Sequence, residues 1–344
     1  MRGPVQTGIA AYGLSGRVFH APFLHANPGF ELTAVVERSR DTVHERYPHT
    51  MRLTSFDELI AQPAIELVVV NTPDVTHYEF CHAALEAGKH VVVEKPFVFT
   101  LAEAETLIAL AKARGLLLTV YQNRRFDGDF RTVQQVIRSG VLGRIVEFNS
   151  AFQRYRNFIV EGSWKERADR RVGMTCNLGS HSLDQALVLF GMPDAVWADI
   201  EILRDGGQVD DYFNITLYYP RLRANLKAGY LMRGEGPRFT LHGTAGSCMF
   251  YGIDPQEKAL GAGAMPDGEG WGSYPPSHRG VLTTDAGENE YRILNGNYML
   301  YYDNLYNVIR QSAQPEVNHA QMLGLIRLLE ACFESSESGR VVDL

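Results

Sequence analysis

The chain has 344 residues, 45% of them hydrophobic and 21% charged, with 33 lysines and arginines against 40 acidic residues and a formal net charge of −7. That length suits about two domains, the composition is that of an ordinary globular protein, and the acidic balance argues against a phosphate-binding nucleic-acid surface. The 4 cysteines lie far apart, with no CxxC pair and no zinc-like spacing, which points to thiols in a reducing cytoplasm and to no metal.

The N-terminus, "MRGPVQTGIAAYG", lacks the apolar core of a signal peptide. No stretch approaches the ~20 apolar residues that span a bilayer. A cytoplasmic protein without nucleic-acid or membrane partners is expected. Up to about residue 122, short apolar runs ("TGIAAY", "ELTAVVE", "IELVVVN", "HVVVE", "LLLTVY") alternate with helical patterns at 76–88 and 101–115. Such alternation predicts βαβ units around a parallel sheet, with Gly88 and Gly115 placed as helix C-terminal caps.

The first strand runs into Ala11, Tyr12, Gly13, Leu14, Ser15 and Gly16, a version of the dinucleotide fingerprint whose first glycine is alanine. Gly13 would let a pyrophosphate approach the backbone at a helix N-terminus, and Gly16 would allow close helix–strand packing. Ala11 costs about 1 kcal/mol if the turn requires a positive φ there. Glu37 ends the second strand about 20 residues further on, where an acid bonds the ribose 2′-hydroxyl of NAD. Arg38 and Ser39 follow at once, and an arginine there holds the 2′-phosphate of NADP. The cofactor reads as NAD or NADP, with Glu37 tilting the choice to NAD. A plain tight turn and a solvated strand end are the alternatives.

After a helical stretch at 129–139 the texture changes. "GRIVEFNSAFQRYR", "AVWADIEILRD", "DYFNITLYYP", "LRANLKAGYLMR" and "RFTLHG" predict longer strands in a mostly antiparallel sheet. In "NLGSHSLDQALVLFG" (177–191), a step of about 100° per residue puts Leu183, Ala186, Leu187 and Phe190 on one apolar stripe. Asn177, His181 and Asp184 share another face, where they either line a site or are solvated. Asn177 also suits an N-cap. The Gly- and Pro-rich stretch 252–296 reads as an irregular loop, followed by helices near 298–312 and 319–336.

"VVVEKPF" (91–97) is preceded by "NTPDVTHYEFCHAALEAGKH" and followed by "YQNRRFDGDF", "LGSHSLDQALVLFG", "SYPPSHRGVL" and "SGRVV". With these motifs in this order, the chain resembles the glucose–fructose oxidoreductase/inositol dehydrogenase (Gfo/Idh/MocA) family of NAD(P)-dependent oxidoreductases. It looks most like the branch of scyllo-inositol-type and sugar dehydrogenases. The resemblance implies an α/β protein with an N-terminal Rossmann domain (1–122) on a doubly wound parallel sheet. An α+β domain (123–344) follows, with a large, mostly antiparallel open sheet for substrate binding and oligomerisation. Lys95 would sit at the cofactor–substrate junction, Glu94 near the nicotinamide ribose, and Pro96 after a cis peptide. Asn71, Thr72, Pro73 and His77 match the loop under the cofactor, and Asn123 the loop near the nicotinamide. The family's acid-then-histidine pair falls on Asn177 and His181. Asparagine here replaces the usual aspartate, and the approach to the pair is altered to "DRRVGMTCN".

Oxidising a secondary alcohol requires removal of the hydroxyl proton while hydride leaves for the nicotinamide. A histidine, titrating ordinarily near pH 6.5, suits the general base, which makes His181 the catalytic candidate. Lys95 suits the developing alkoxide, and Asp184 either assists as a second acid or holds the helix. Arg154, Tyr155, Arg156 and Trp164 are candidate contacts for a polyol or sugar. Arg124 and Arg125 read as ion-pair partners and His20 as a packing or helix-end residue. If the second-domain sheet is open on one face, it leaves an apolar surface that wants covering, and the resemblance implies a homodimer or homotetramer paired through it. The competing reading is a non-catalytic dinucleotide-binding regulator of the same fold. A third is an enzyme that keeps its cofactor and recycles it between two substrates.

Overall fold

The computed structural model describes residues 3–163, 166–167 and 172–344. In chain order the elements are β1 (Val5–Ile9), α1 (Ala21–Ala26), β2 (Phe30–Val36), α2 (Val43–Arg46), β3 (Met51–Leu53), α3 (Phe56–Ile60), β4 (Leu67–Val70), α4 (His77–Glu86), β5 (His90–Val93), α5 (Leu101–Arg114), β6 (Leu118–Val120) and α6 (Gly128–Ser139). Then come β7 (Ile145–Gln153), α7 (Ser180–Phe190), β8 (Ala195–Glu201), β9 (Tyr212–Tyr219), β10 (Leu222–Gly229), β11 (Phe239–Gly243), β12 (Gly246–Phe250), α8 (Gln256–Gly261), β13 (Gly280–Thr284), β14 (Gly287–Tyr291), α9 (Met299–Gln311), α10 (His319–Ser338) and β15 (Val342–Asp343). Two units divide them. The first takes Met1–Asn123, Gln256–Trp271 and Asn297–Leu323; the second takes Arg124–Pro255, Gly272–Gly296 and Gly324–Leu344. The sequence places one boundary at 122, whereas two later segments return to the first unit, a return that no local pattern announces.

The first unit holds a parallel sheet of six strands in the order β3-β2-β1-β4-β5-β6. β4 reads "LVVV" and is buried throughout, the pattern of a strand covered on both faces. α5 opens on a capping box between Thr100 and Glu103 and closes on Gly115 at φ 65°. The strand order reverses between β1 and β4, and ligands of such sheets bind outside the strand carboxyl ends at that point. Two connections leave there: the turn 10–16 after β1 and the loop 71–76 after β4.

The second unit is built on nine strands, β14-β13-β12-β11-β7-β10-β9-β8-β15, in which only β7 and β10 pair parallel. One face packs Phe148, Phe213, Leu226 and Phe239 against Val133 of α6, Leu183 and Leu187 of α7, and Leu328 of α10. The apolar stripe on α7 thus faces the core. The other face is not the apolar surface expected. Asn225 donates to Asn149 at 3.0 Å and accepts from Thr216 at 3.1 Å, while Arg223 lies 4.7 Å from the Tyr218 ring. Strand alternation sends apolar residues to the helices and leaves a polar, aromatic face behind. The expected loop at 252–296 contains α8 and the hairpin β13–β14, whose exposed strand "GENEY" has no apolar alternation to reveal it. Among the described residues no helix is long and apolar enough to cross a membrane.

Candidate active site

The turn after β1 is pinned from both sides by one side chain. Asn71 accepts from the Ala11 amide at 3.0 Å and donates to the Ala11 carbonyl at 2.7 Å. Gly16 must stay bare, since a Cβ there would stand 2.3 Å from the Ala11 oxygen. Ala11 is not among the positive-φ residues, so alanine in place of the first glycine carries no backbone strain. Gly13 is different: it is exposed, and a Cβ would meet nothing within 4 Å. The protein's own packing gives no reason for a glycine there, whereas close approach of a ligand does. The helix beginning at Leu14 adds unsatisfied N–H groups, and Leu14 itself is 63% exposed. The turn therefore fits a dinucleotide pyrophosphate. Tyr12 is buried and its amide donates to the end of β2 at Val36.

Glu37, expected at a ribose hydroxyl, turns instead into its own connection. Its carboxylate accepts from the Thr42 amide (2.8 Å), the Thr42 hydroxyl (2.6 Å) and the Val43 amide (3.1 Å). Burial raises its pKa, but these bonds and Arg52 outweigh that and hold it below the usual carboxylate range. Spacing located the residue and missed its partners. Arg38 and Ser39, immediately after it, are exposed.

At the carboxyl end of β5, Glu94 and Lys95 are half-buried and the Lys95–Pro96 bond is cis. Glu94 accepts from Ser15 Oγ (2.5 Å) and from the Lys95 amide (3.2 Å), and lies 3.1 Å from His20 Nε2. Burial works to raise the Glu94 pKa, yet His20, Lys95 and Ser15 overcome it and bring it to about 2. His77 is buried, with Nδ1 at 2.8 Å from the Pro96 carbonyl and Nε2 at 3.0 Å from that of Thr72, so it ties the loop 71–76 to the Glu94–Pro96 segment. Pro73 is exposed, Thr72 half-buried and Asn123 buried.

In the second unit, α7 is entered through a π turn, Thr175–Gly179, marked by the Ser180 amide donating to the Thr175 carbonyl. Asp210 anchors this entry, accepting from the Thr175 amide at 2.6 Å, while its own carbonyl accepts from Met174. Asn177 lies inside the π turn, half-buried, and is not an N-cap. His181 is 4% exposed and Asp184 2%, so neither is a solvated surface group. Asp184 receives a two-pronged contact from Arg125, Nε at 2.8 Å and Nη2 at 2.6 Å. Its oxygens are engaged by that guanidinium, which favours the holding role over that of a second acid.

Arg238 donates to Ser150 (2.6 Å) and to Gln185 (3.2 Å), and Gln185 donates to the Arg124 carbonyl (3.0 Å). Asp129, 4.0 Å from Arg238, has its carboxyl pushed up to about 7 by burial and by Asp127 against the pull of Arg238. Arg124 and Arg125 are the ion-pair partners expected, with Asp127 and Asp184, whereas Arg238, Ser150, Gln185 and Asp129 were missed from the sequence. The network's signal was "RRFDGD", two basic and two acidic residues within six positions beside strongly apolar elements. Arg154, Tyr155 and Arg156 continue β7 alongside 229–232, with Tyr155 44% exposed and its ring 3.9 Å from Arg233. Trp164 lies outside the described residues.

Two family profiles match the chain: "oxidoreductase family, NAD-binding Rossmann fold" over residues 5–122 and "oxidoreductase family, C-terminal alpha/beta domain" over 134–344. The chain is 39% identical over 344 residues to scyllo-inositol 2-dehydrogenase (NADP(+)) IolW of Bacillus subtilis, covering 99% of this chain and 96% of that one. It is 25% identical over 228 residues to the 1,5-anhydro-D-fructose reductase of Ensifer adhaerens, covering 65% and 68% respectively. A solved structure from Bacteroides fragilis matches with a TM-score of 0.92 at 49% identity, covering 99% of this chain and 100% of that one.

Proposed function

The chain belongs to the Gfo/Idh/MocA oxidoreductase family, and from that premise we propose that it moves hydride between NADP(H) and the secondary alcohol or ketone of an inositol, another polyol or a sugar. The observation that carries this reading is the open turn at Gly13 on the sheet whose carboxyl edge also presents Glu94 and Lys95. The named relatives, a scyllo-inositol dehydrogenase and an anhydrofructose reductase, support this substrate class. The nicotinamide, when bound, supplies the hydride acceptor or donor. His181 takes the hydroxyl proton, and the Lys95 ammonium stabilises the alkoxide. Arg125 and Asp184 hold α7 in place, and Asn177 orients the histidine without adding charge. Residues 11–16, Asn71, Thr72, Pro73, His77, Glu94 and Asn123 form the cofactor's cradle. Arg154, Tyr155 and Arg156 reach the substrate.

NADP replaces the NAD expected from Glu37. That carboxylate is engaged with residues 42–43, Arg38 beside it is exposed, and the inositol relative is named for NADP(+). The first 122 residues would serve the cofactor. The rest would serve the substrate and a second copy of the chain, docked on the polar, aromatic face of the large sheet as a homodimer or homotetramer.

The test is nicotinamide absorbance with NADP or NAD against a panel of inositols, aldoses and their keto forms. Turnover with NADP preferred, falling about 10²–10⁴-fold in both Lys95→Ala and His181→Ala, is the expected result. Tight dinucleotide binding without turnover on any compound would shift the reading to a non-catalytic regulator.

A further inference from the structure

His20 has no part in the chemistry above, and its surroundings are not those of a packing residue. It is fully buried, and both ring nitrogens meet oxygen: Nδ1 the Tyr302 hydroxyl at 3.0 Å, Nε2 the Glu94 carboxylate at 3.1 Å. Tyr302 has a single hydroxyl hydrogen and donates it to the Phe19 carbonyl at 2.6 Å. The hydrogen between Nδ1 and Tyr302 therefore comes from the ring. Glu94 already accepts from Ser15 and from the Lys95 amide, the company of an ionised carboxylate. The hydrogen on that side comes from the ring as well. A neutral imidazole carries one N–H, and this one needs two.

We propose that His20 is a positioning residue of the cofactor site: an imidazolium held between Tyr302 and Glu94 that serves as the carboxylate's counter-ion and fixes it beside Lys95. The π turn Gly16–His20 makes this placement, with the His20 ring 4.6 Å from that of Tyr121. The inference rests on the proposed function in one respect, that the Glu94–Lys95 segment handles the nicotinamide end of the cofactor. Without the imidazolium, the half-buried carboxylate would take up a proton or turn to the Lys95 ammonium. Either change alters the charge beside the reacting groups.

The deciding experiment is nitrogen-resolved NMR of the histidine rings in the ligand-free full chain at about pH 8, where a histidine of ordinary pKa, about 6.5, is neutral. Two protonated nitrogens on His20, reduced to one in Glu94→Gln, are expected; a single N–H in the unaltered protein would overturn the proposal. A second arm uses His20→Phe, which keeps a ring against Tyr121. Its NADP dissociation constant, read by fluorescence titration, should rise roughly tenfold to hundredfold, the range for a hydrogen bond to a charged group. Tyr302→Phe, which removes the neutral partner and its bond to the Phe19 carbonyl but leaves Glu94 facing the ring, should lose less than about tenfold. Unchanged binding in His20→Phe would count against the positioning role. Neither arm needs a turned-over substrate, so failure of the substrate assay alone would sink the proposed reaction and leave this result standing.

Discussion

Two helices that carry candidate residues, one in each unit, are each entered through one π turn: Gly16–His20 before α1 and Thr175–Gly179 before α7. Such turns recur at functional positions because the extra residue re-aims the side chains that follow. Each delivers a buried histidine, His20 in the turn and His181 two residues after it. The electrostatics then diverge. His20 lies between a hydroxyl and a carboxylate, and Glu94 is the acid facing it. On α7 the acid one turn after His181 is committed to Arg125, and the residue one turn before it is a neutral asparagine. The first arrangement faces its histidine with an acid, which suits the positioning group proposed for His20; the second commits its acid to an arginine, which suits the base proposed for His181.

The largest effect should come from breaking the Arg125–Asp184 pair. Arg125→Met strands a buried carboxylate and should cost about 3–5 kcal/mol in chemical denaturation. The double change with Asp184→Leu should recover most of it, because the pair's own desolvation penalty disappears. If the double variant is no better than the single one, the pair does more than hold α7. Next comes Asp129, whose carboxyl rises from 3.8 to about 7 in the folded chain. Between those values the unfolded chain releases the proton and the folded chain retains it, so stability should fall as pH rises through this window and level off above it. Asp129→Asn, which mimics the protonated form, should flatten that slope in thermal melts from about pH 4 to 8.

The glycines sharpen the same comparison within one turn. Gly16→Ala pushes a methyl into the Ala11 carbonyl and should destabilise the fold by about 1–3 kcal/mol, an overpacking cost. Gly13→Ala meets no protein atom and should change stability by less than about 0.5 kcal/mol. Its NADP affinity should nevertheless drop about tenfold, some 1.4 kcal/mol. Equal losses of stability in both variants would mean that Gly13 serves the fold and not a ligand.

Much of this architecture is legible from periodicity. The runs "LVVV" and "HVVV" read as covered parallel strands because they are short, rich in β-branched valine and set between helical patterns, and α7's stripe of Leu183, Ala186 and Leu187 lands where a step of about 100° puts it. What stays hidden is partnership. Glu37 sits where a ribose-binding acid belongs, yet it caps residues six positions on, because spacing fixes where a side chain starts and not what it meets. His20 shows no periodic signature, since its partners Glu94 and Tyr302 are 74 and 282 residues away. A π turn leaves no pattern either, as one residue of extra pitch is absorbed within a single turn. Strand β14, "GENEY", escapes for a simpler reason, being exposed on nearly every residue.

The smallest effect is the most informative about chemistry. Asn177 lies inside the π turn, four residues before His181, and the family's usual aspartate would put a carboxylate there. Asn177→Asp keeps the side-chain size and adds one negative charge. A carboxylate near the histidine favours the imidazolium, so the pKa of the base should rise, by about one unit if the two groups lie within 4–6 Å. The base is then protonated over a wider range, and the acid limb of kcat/KM for alcohol oxidation should move to higher pH. Carbonyl reduction, which needs that proton as a donor, should hold its rate to higher pH by the same amount. Opposite responses of the two directions would identify His181 as the group that titrates. A limb that stays put in both directions would mean that the asparagine orients something other than the base.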